Sequence, residues 1–150
     1  MNAMLIRGPG KQELLTDGST EAIEIRQLEP GLVRLEGARS SLEFVHRCAS
    51  AILLTQHGAA RIAARASVDL GPQITLLAML RLRVNDEPLH ALVLGNHLVL
   101  TGMPQSLSLF CNAVQSAALG APGAESHLRY HEGHARIDRR SLHLVVRRAP

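Results

Sequence analysis

Aromatic side chains are almost missing from this chain, which has no tryptophan, one tyrosine and two phenylalanines in 150 residues. Proteins that grip single-stranded nucleic acid stack bases on such rings, so a net charge of +3 does not by itself point to that mode of binding. Cysteine is scarce too. Cys48 and Cys111 are the only two, and both fall inside predicted helices rather than at metal-ligand spacing. They read as reduced, partly buried small hydrophobes. Apolar runs such as "ITLLAML" are far shorter than the roughly 20 residues that a bilayer span needs. The opening "MNAMLIRGPGKQELL" has no sustained apolar segment of the kind an export signal requires, so the expected location is cytoplasmic. Nowhere does the chain carry a G-x-S-x-G turn, a P-loop or a dinucleotide fingerprint.

What is present is a core. Hydrophobic residues make up 46% of the chain and charged ones 19%, a balance that folds rather than staying disordered. An internal repeat organises it. Shifted by 65 residues, "VRLEGARSSLEFVHRCASAILLTQHGAARI" (33–62) lies over "LVLTGMPQSLSLFCNAVQSAALGAPGAESH" (98–127) without a gap. Leu35/Leu100, Gly37/Gly102, Ser41/Ser106, Leu42/Leu107, Leu54/Leu119, Gly58/Gly123 and Ala59/Ala124 are identical. Both copies run strand, glycine, Ser-Leu helix start, apolar helix, glycine, strand.

In the second copy "LHALVLGNHLVLT" predicts a hairpin turning at Gly95-Asn96, and Pro104 suits an early helical position after a cap at Gly102 or Met103. Leu107, Phe110, Cys111, Val114, Ala117 and Ala118 recur at helical spacing and define one buried face. Gly120, Pro122 and Gly123 end the helix, and strands are predicted at about 126–131 and 141–148. The first copy repeats the plan: a hairpin about Glu29-Pro30-Gly31, then a helix capped or opened by Ser40 or Ser41 with Leu42, Val45, Ala49, Ile52 and Leu53 inward. Two longer strands follow around Gly71-Pro72, and "NDEP" at 85–88 supplies the turn that joins the copies. "MLIR" or "QELLT" is expected to add an edge strand.

The predicted fold class is therefore α+β: two tandem ββαββ units, 1–85 with an N-terminal extension and 86–150, fused as a pseudo-twofold with one helix per unit on one face of antiparallel sheet. Whether the units share one sheet or form two layers is left open by the pattern.

Potential chemistry concentrates in "SHLRYHEGHARIDRRSLHLVVRR" (126–148), which contains His127, His131, His134 and His143. Residues 126–150 also hold Arg129, Arg136, Arg139, Arg140, Arg147 and Arg148 against Glu132 and Asp138. Strand alternation puts Leu128 and Tyr130 on one face and His127, Arg129 and His131 on the other. On the last strand it puts Leu142, Leu144 and Val146 inward and leaves Ser141, His143, Val145 and Arg147 outward. His127 or His131 is then expected beside His143. Three neutral imidazoles at one point would make a zinc-type site, so His127, His131 and His143 are the candidate ligands. Arg129 lies between two of them and opposes a cation; the stronger reading is a basic outer face that docks a partner, and no cofactor is called for. For nucleophilic catalysis the candidates are Cys48 with His46 and Cys111 with a C-terminal His, but His46 lies two residues from Cys48 on another side of the helix and buried helical cysteines are inert packing; His46 itself is expected to be partly buried and hydrogen-bonded.

The stretch "LVLTGMPQSLSLFCNAVQSAALGAPGAESHLRYHEGHARIDRRSLHLVV" resembles the immunity protein 32 family of bacterial polymorphic toxin systems. The resemblance rests on Gly102, Leu107, Gly123, Ser126, His127, Ser141 and Leu144; Arg129 stands where that family has the second His of its strand. The first copy keeps Gly37, Leu42 and Gly58. The resemblance implies a non-enzymatic protein that binds and blocks a cognate toxin. The expected function is accordingly toxin neutralisation by direct binding, with Arg129, His131, Arg136, Arg139, Arg140, His143 and Arg147 as the contact surface for an acidic protein. The alternatives are a secretion chaperone or adaptor, a metal- or His-dependent enzyme at the C-terminal strands, and a nucleic-acid binder.

Overall fold

The computed structural model describes residues 3–8, 11–16, 23–55, 58–65 and 75–150, the first two segments as backbone. Where turn chemistry is strong, hairpins form as the sequence predicts. β3 (Glu24–Glu29) returns as β4 (Leu32–Gly37) through Pro30-Gly31, and β8 (His90–Leu94) returns as β9 (His97–Gly102) through Gly95-Asn96. Gly31 and Gly95 have φ of +86° and +59°, a region that a Cβ would penalise.

A helix follows each hairpin almost at once: α1 (Arg39–Ile52) and α2 (Pro104–Leu119). Met103 is the N-cap of α2 and Pro104 its first residue, where the missing N–H costs nothing. For α1 the expected serine cap is corrected: the N-cap is Ala38. Ser41 already lies inside the helix, under the strand end, where a Cβ on Gly37 would come within 3.3 Å of the Ser41 Cβ. The buried face of α2 is the predicted one, with Ala113 and Ser106 added. In α1, Phe44 and Cys48 join Leu42, Val45, Ala49 and Ile52, whereas Leu53 is the C-cap and only half-buried.

The remaining strands are β1 (Ala3–Gly8), β2 (Lys11–Thr16), β5 (Gly58–Ala63), β6 (Thr75–Leu77), β7 (Met79–Val84), β10 (Glu125–Leu128) and β11 (His143–Arg148). Both N-terminal segments proposed as edge strands thus form strands, pairing with each other. The Gly71-Pro72 turn lies outside the described residues. The last two strands are shorter than predicted: β10 stops at Leu128, and β11 begins only at His143.

The expected antiparallel sheet is corrected: the strands make two mixed sheets, one ordered β1-β2-β5-β7-β9-β8 and the other β10-β11-β4-β3-β6, with β2 parallel to β5, β7 to β9 and β11 to β4. Each sheet takes strands from both halves of the chain. β7 lies parallel to β9, with Met79 opposite His97 through Val84 opposite Gly102; β11 lies parallel to β4, with His143 opposite Leu32 through Arg148 opposite Gly37. Flanking hydrogen bonds extend both ladders. Ala78 N–H donates to Asn96 O (2.7 Å) as His143 N–H does to Gly31 O (2.8 Å), and Asn85 N–H donates to Gly102 O as Ala149 N–H does to Gly37 O (both 2.9 Å).

α1 packs on β5, β2, β4 and β7; α2 packs on β10, β11 and β9; and the helices touch each other, Ser50 bonding the Cys111 thiol. The inward residues of both sheets and both helices form one hydrophobic cluster, in which Phe110 is the largest side chain fully removed from solvent. Among the described residues no helix is long and apolar enough to cross a membrane. Phe110→Ala should lower stability by about 3–5 kcal/mol, whereas Leu54→Ala, at a side chain 88% exposed, should change it by less than about 0.5 kcal/mol. Urea midpoints compared at constant slope check both.

Candidate functional site

β10 and β11 pair antiparallel with His127 opposite Val145, which sends Glu125, His127, His143, Val145 and Arg147 to the outer face as strand parity requires. His127, not His131, lies beside His143. The His127 Nδ1 and His143 Nε2 are 2.8 Å apart, and the His127 Nε2 is 3.1 Å from Glu125 Oε2. One ring nitrogen must donate and the other accept, so the bonded pair carries at most one positive charge. Burial first, then the neighbouring His127 and Arg129, hold His143 below its ordinary pKa.

The expectation that the imidazoles and guanidiniums share one outer face is corrected by where the chain leaves the sheet. Leu128 is the last residue of β10 in register with β11, opposite Leu144. Residues 129–142 then turn away to follow β8, the edge strand of the other sheet. Leu89 N–H donates to Arg136 O, Asp138 N–H to Leu89 O and Leu142 N–H to Ala91 O, while Ala91 N–H donates to the Ser141 hydroxyl at 2.8 Å. Ser141 and Leu142, read as strand, are thereby committed to Ala91 instead. His131 lies in this loop against His134, ring centroids 4.9 Å apart, and the His134 Nδ1 accepts from the Arg136 N–H.

The loop is fastened from within. Ile137 is buried beside Leu89, and Asp138 accepts from the Arg140 backbone N–H and holds its guanidinium with both oxygens, at 3.1 and 3.0 Å. Those bonds keep the Asp138 carboxyl well below the usual carboxylate range. Arg129, Arg136 and Arg139 are exposed and make no ion pair among the described residues. Arg147 is different: it is half-buried and lies 3.3 Å from Glu36 and 3.9 Å from Glu125. Arg148 donates to Gly120 O.

A shallow hollow of about 430 Å³ connects the histidine pairs, with His127, Arg129, His131 and His134 on its rim and Leu109 and Ile137 at its base. Among the described residues no three His, Cys, Asp or Glu side chains converge as metal ligands do. Burial pushes the Cys48 thiol up to about 11 and raises Cys111 as well, so both thiols are protonated near neutral pH. His46 is half-buried in a groove between the helices with Glu43 and Gln115, and among the described residues it makes no hydrogen bond, contrary to the sequence expectation. Sequence reasoning missed the acids Glu36 and Glu125 that neutralise Arg147, because Glu36 comes from a strand far away in the chain. No protein-family model, curated protein or solved structure matches this chain.

Two outcomes follow. The unfolded chain binds more protons than the folded one at His143 below its ordinary value of 6.5, so stability falls as pH drops through and below that range. The protein should therefore lose more of its urea midpoint than His143→Gln between about pH 7.5 and about pH 5; parallel losses would refute this. Ser141→Ala should cost roughly 0.5–1.5 kcal/mol and speed amide exchange at Ala91, the donor it leaves without its partner.

Proposed function

We propose that the chain is a non-enzymatic binding protein, an immunity protein that neutralises a cognate bacterial toxin by direct contact. In this reading it comprises two fused ββαββ units, 1–85 and 86–150, related by a pseudo-twofold. The matching six-rung registers of β7 with β9 and of β11 with β4, and the matching bonds Asn85–Gly102 and Ala149–Gly37, support the unit assignment.

The observation that carries the functional reading is the 129–142 loop. It presents Arg129, His131, Arg136 and Arg139 to solvent while its backbone is bonded to β8, Ile137 is buried, and Tyr130 and Leu142 pack against the core. Exposed cations on a segment already held in place bind an acidic protein surface without a large ordering cost. Arg140 contributes by clamping Asp138, and His143 and Arg147 by shaping the adjoining sheet face. The resemblance of 98–148 to an immunity family points to the same class of activity.

The triple variant Arg129→Glu/Arg136→Glu/Arg139→Glu should weaken binding of the toxin encoded next to this chain by about 100-fold or more, mostly through faster dissociation and slower salt-sensitive association. Co-expression followed by affinity measurement on the purified complex tests this. A wild-type chain that neither binds nor protects against that neighbour sinks the immunity reading, and unchanged affinity in a folded triple variant sinks the surface assignment.

A further inference from the structure

The two sheets treat charge differently on their outer faces. On the sheet containing β4 and β11, Arg26, Arg34 and Arg147 alternate with Glu24, Glu36 and Glu125. Arg26 pairs with Glu24 at 3.0 Å, Arg34 with Glu36 at 3.8 Å, and Arg147 with Glu36 at 3.3 Å. That face neutralises itself.

On the other sheet, Glu13 lies on β2 in register with Ala59, and β5, β7, β8 and β9 contain no Asp or Glu at any position. Arg81 and Arg83 both point outward, since Leu80, Leu82 and Val84 alternate with them and are buried. Arg81 stands directly across from Arg61. Arg81 and Arg83 are exposed and make no ion pair among the described residues. The contrast is sharpest at one rung. Arg147 is in register with Glu36, and its counterpart Arg83, on the same rung of the other parallel ladder, is in register with Thr101. The acid that neutralises one face is a hydroxyl on the other.

Apolar side chains share this cationic face. Val99 follows Arg81 in register, Leu92 follows Val99, and Leu94 is 55% exposed. A hollow of about 340 Å³ runs between the arginines and Leu94, Val99 and Thr101. We infer that the outer face of β5, β7, β9 and β8 is a docking surface for an acidic, amphipathic polypeptide, in which carboxylates meet Arg81 and Arg83 while apolar side chains cover Val99 and Leu94. No Phe, Tyr or Trp lies on these strands to stack a base, and the apolar share of the face suits a polypeptide better than a phosphate backbone. This inference rests on the binding-protein reading above and extends it, because β8 both borders the face and anchors the basic loop.

The test uses the full chain and a labelled peptide with leucines along one side and glutamates elsewhere. Its lysine-for-glutamate counterpart and a DNA duplex of similar length serve as comparisons, all followed by fluorescence anisotropy. The acidic peptide should bind; Arg81→Glu/Arg83→Glu and, separately, Thr101→Glu should weaken it by about tenfold or more, and Arg39→Glu/Arg47→Glu, at exposed residues of α1, should leave it within about twofold. Thr101→Glu copies the Glu36 arrangement, so its melting temperature should be maintained or raised, which separates lost binding from lost folding. Failure of the acidic peptide to bind, unchanged affinity in both sheet variants, or tighter binding of the DNA or the basic peptide would overturn the inference. The immunity reading fails separately, on the absence of a complex with the neighbouring toxin.

Discussion

Everything in this structure hangs on two parallel ladders, β7 beside β9 and β11 beside β4. Each joins a strand from one half of the chain to a strand from the other, and neither lies at the edge of its sheet. Their inward residues, Leu80, Leu82, Leu98 and Leu100 in one and Val33, Leu35, Leu144 and Val146 in the other, have almost no exposure to solvent. Without these ladders each helix would cover only part of a sheet, and the single hydrophobic cluster would split. Parallel pairing also demands a long connection. For β4 and β11 that connection is the chain from 38 to 142, so the structure gains its core only after distant segments have met, which slows folding relative to a helical protein of this size.

The features that were legible in the sequence are those decided locally. Pro30-Gly31 and Gly95-Asn96 turn where they do because of φ preferences, and the buried face of α2 follows from a 3.6-residue period. The choice of strand partner was not legible. "LVRLEG", "MLRLRV", "HLVLTG" and "HLVVRR" all alternate alike, so any of them offers a neighbour the same inward face. That ambiguity accounts for the error in the site as well. Parity placed His127, His143 and Arg147 correctly on the outer face, yet it extended β10 to His131 because nothing in the local pattern reveals that Ser141 is bound to Ala91. Likewise nothing local marks Glu36 as the partner of Arg147, since only the pairing of β4 with β11 brings them together.

Charge follows from the same arrangement. An arginine at the fifth rung of each parallel ladder is neutral company when its neighbour is Glu36 and a free cation when its neighbour is Thr101. Two ladders of matching register thus differ in electrostatic character through single side chains, with the inward residues unaffected, since successive positions in a strand face opposite ways.

The short join at Asn85–Pro88 gains meaning from the exchange of strands across it. Asn85 bonds the Glu87 amide through its side chain and Gly102 through its backbone, which folds the connection back on itself in a few residues. Two separate polypeptides could close such ladders only by association, at a population set by their concentration. A covalent tether makes the encounter intramolecular and independent of dilution. It also lets the two ladders differ in their surface residues, as Glu36 and Thr101 do, which a symmetric dimer could not.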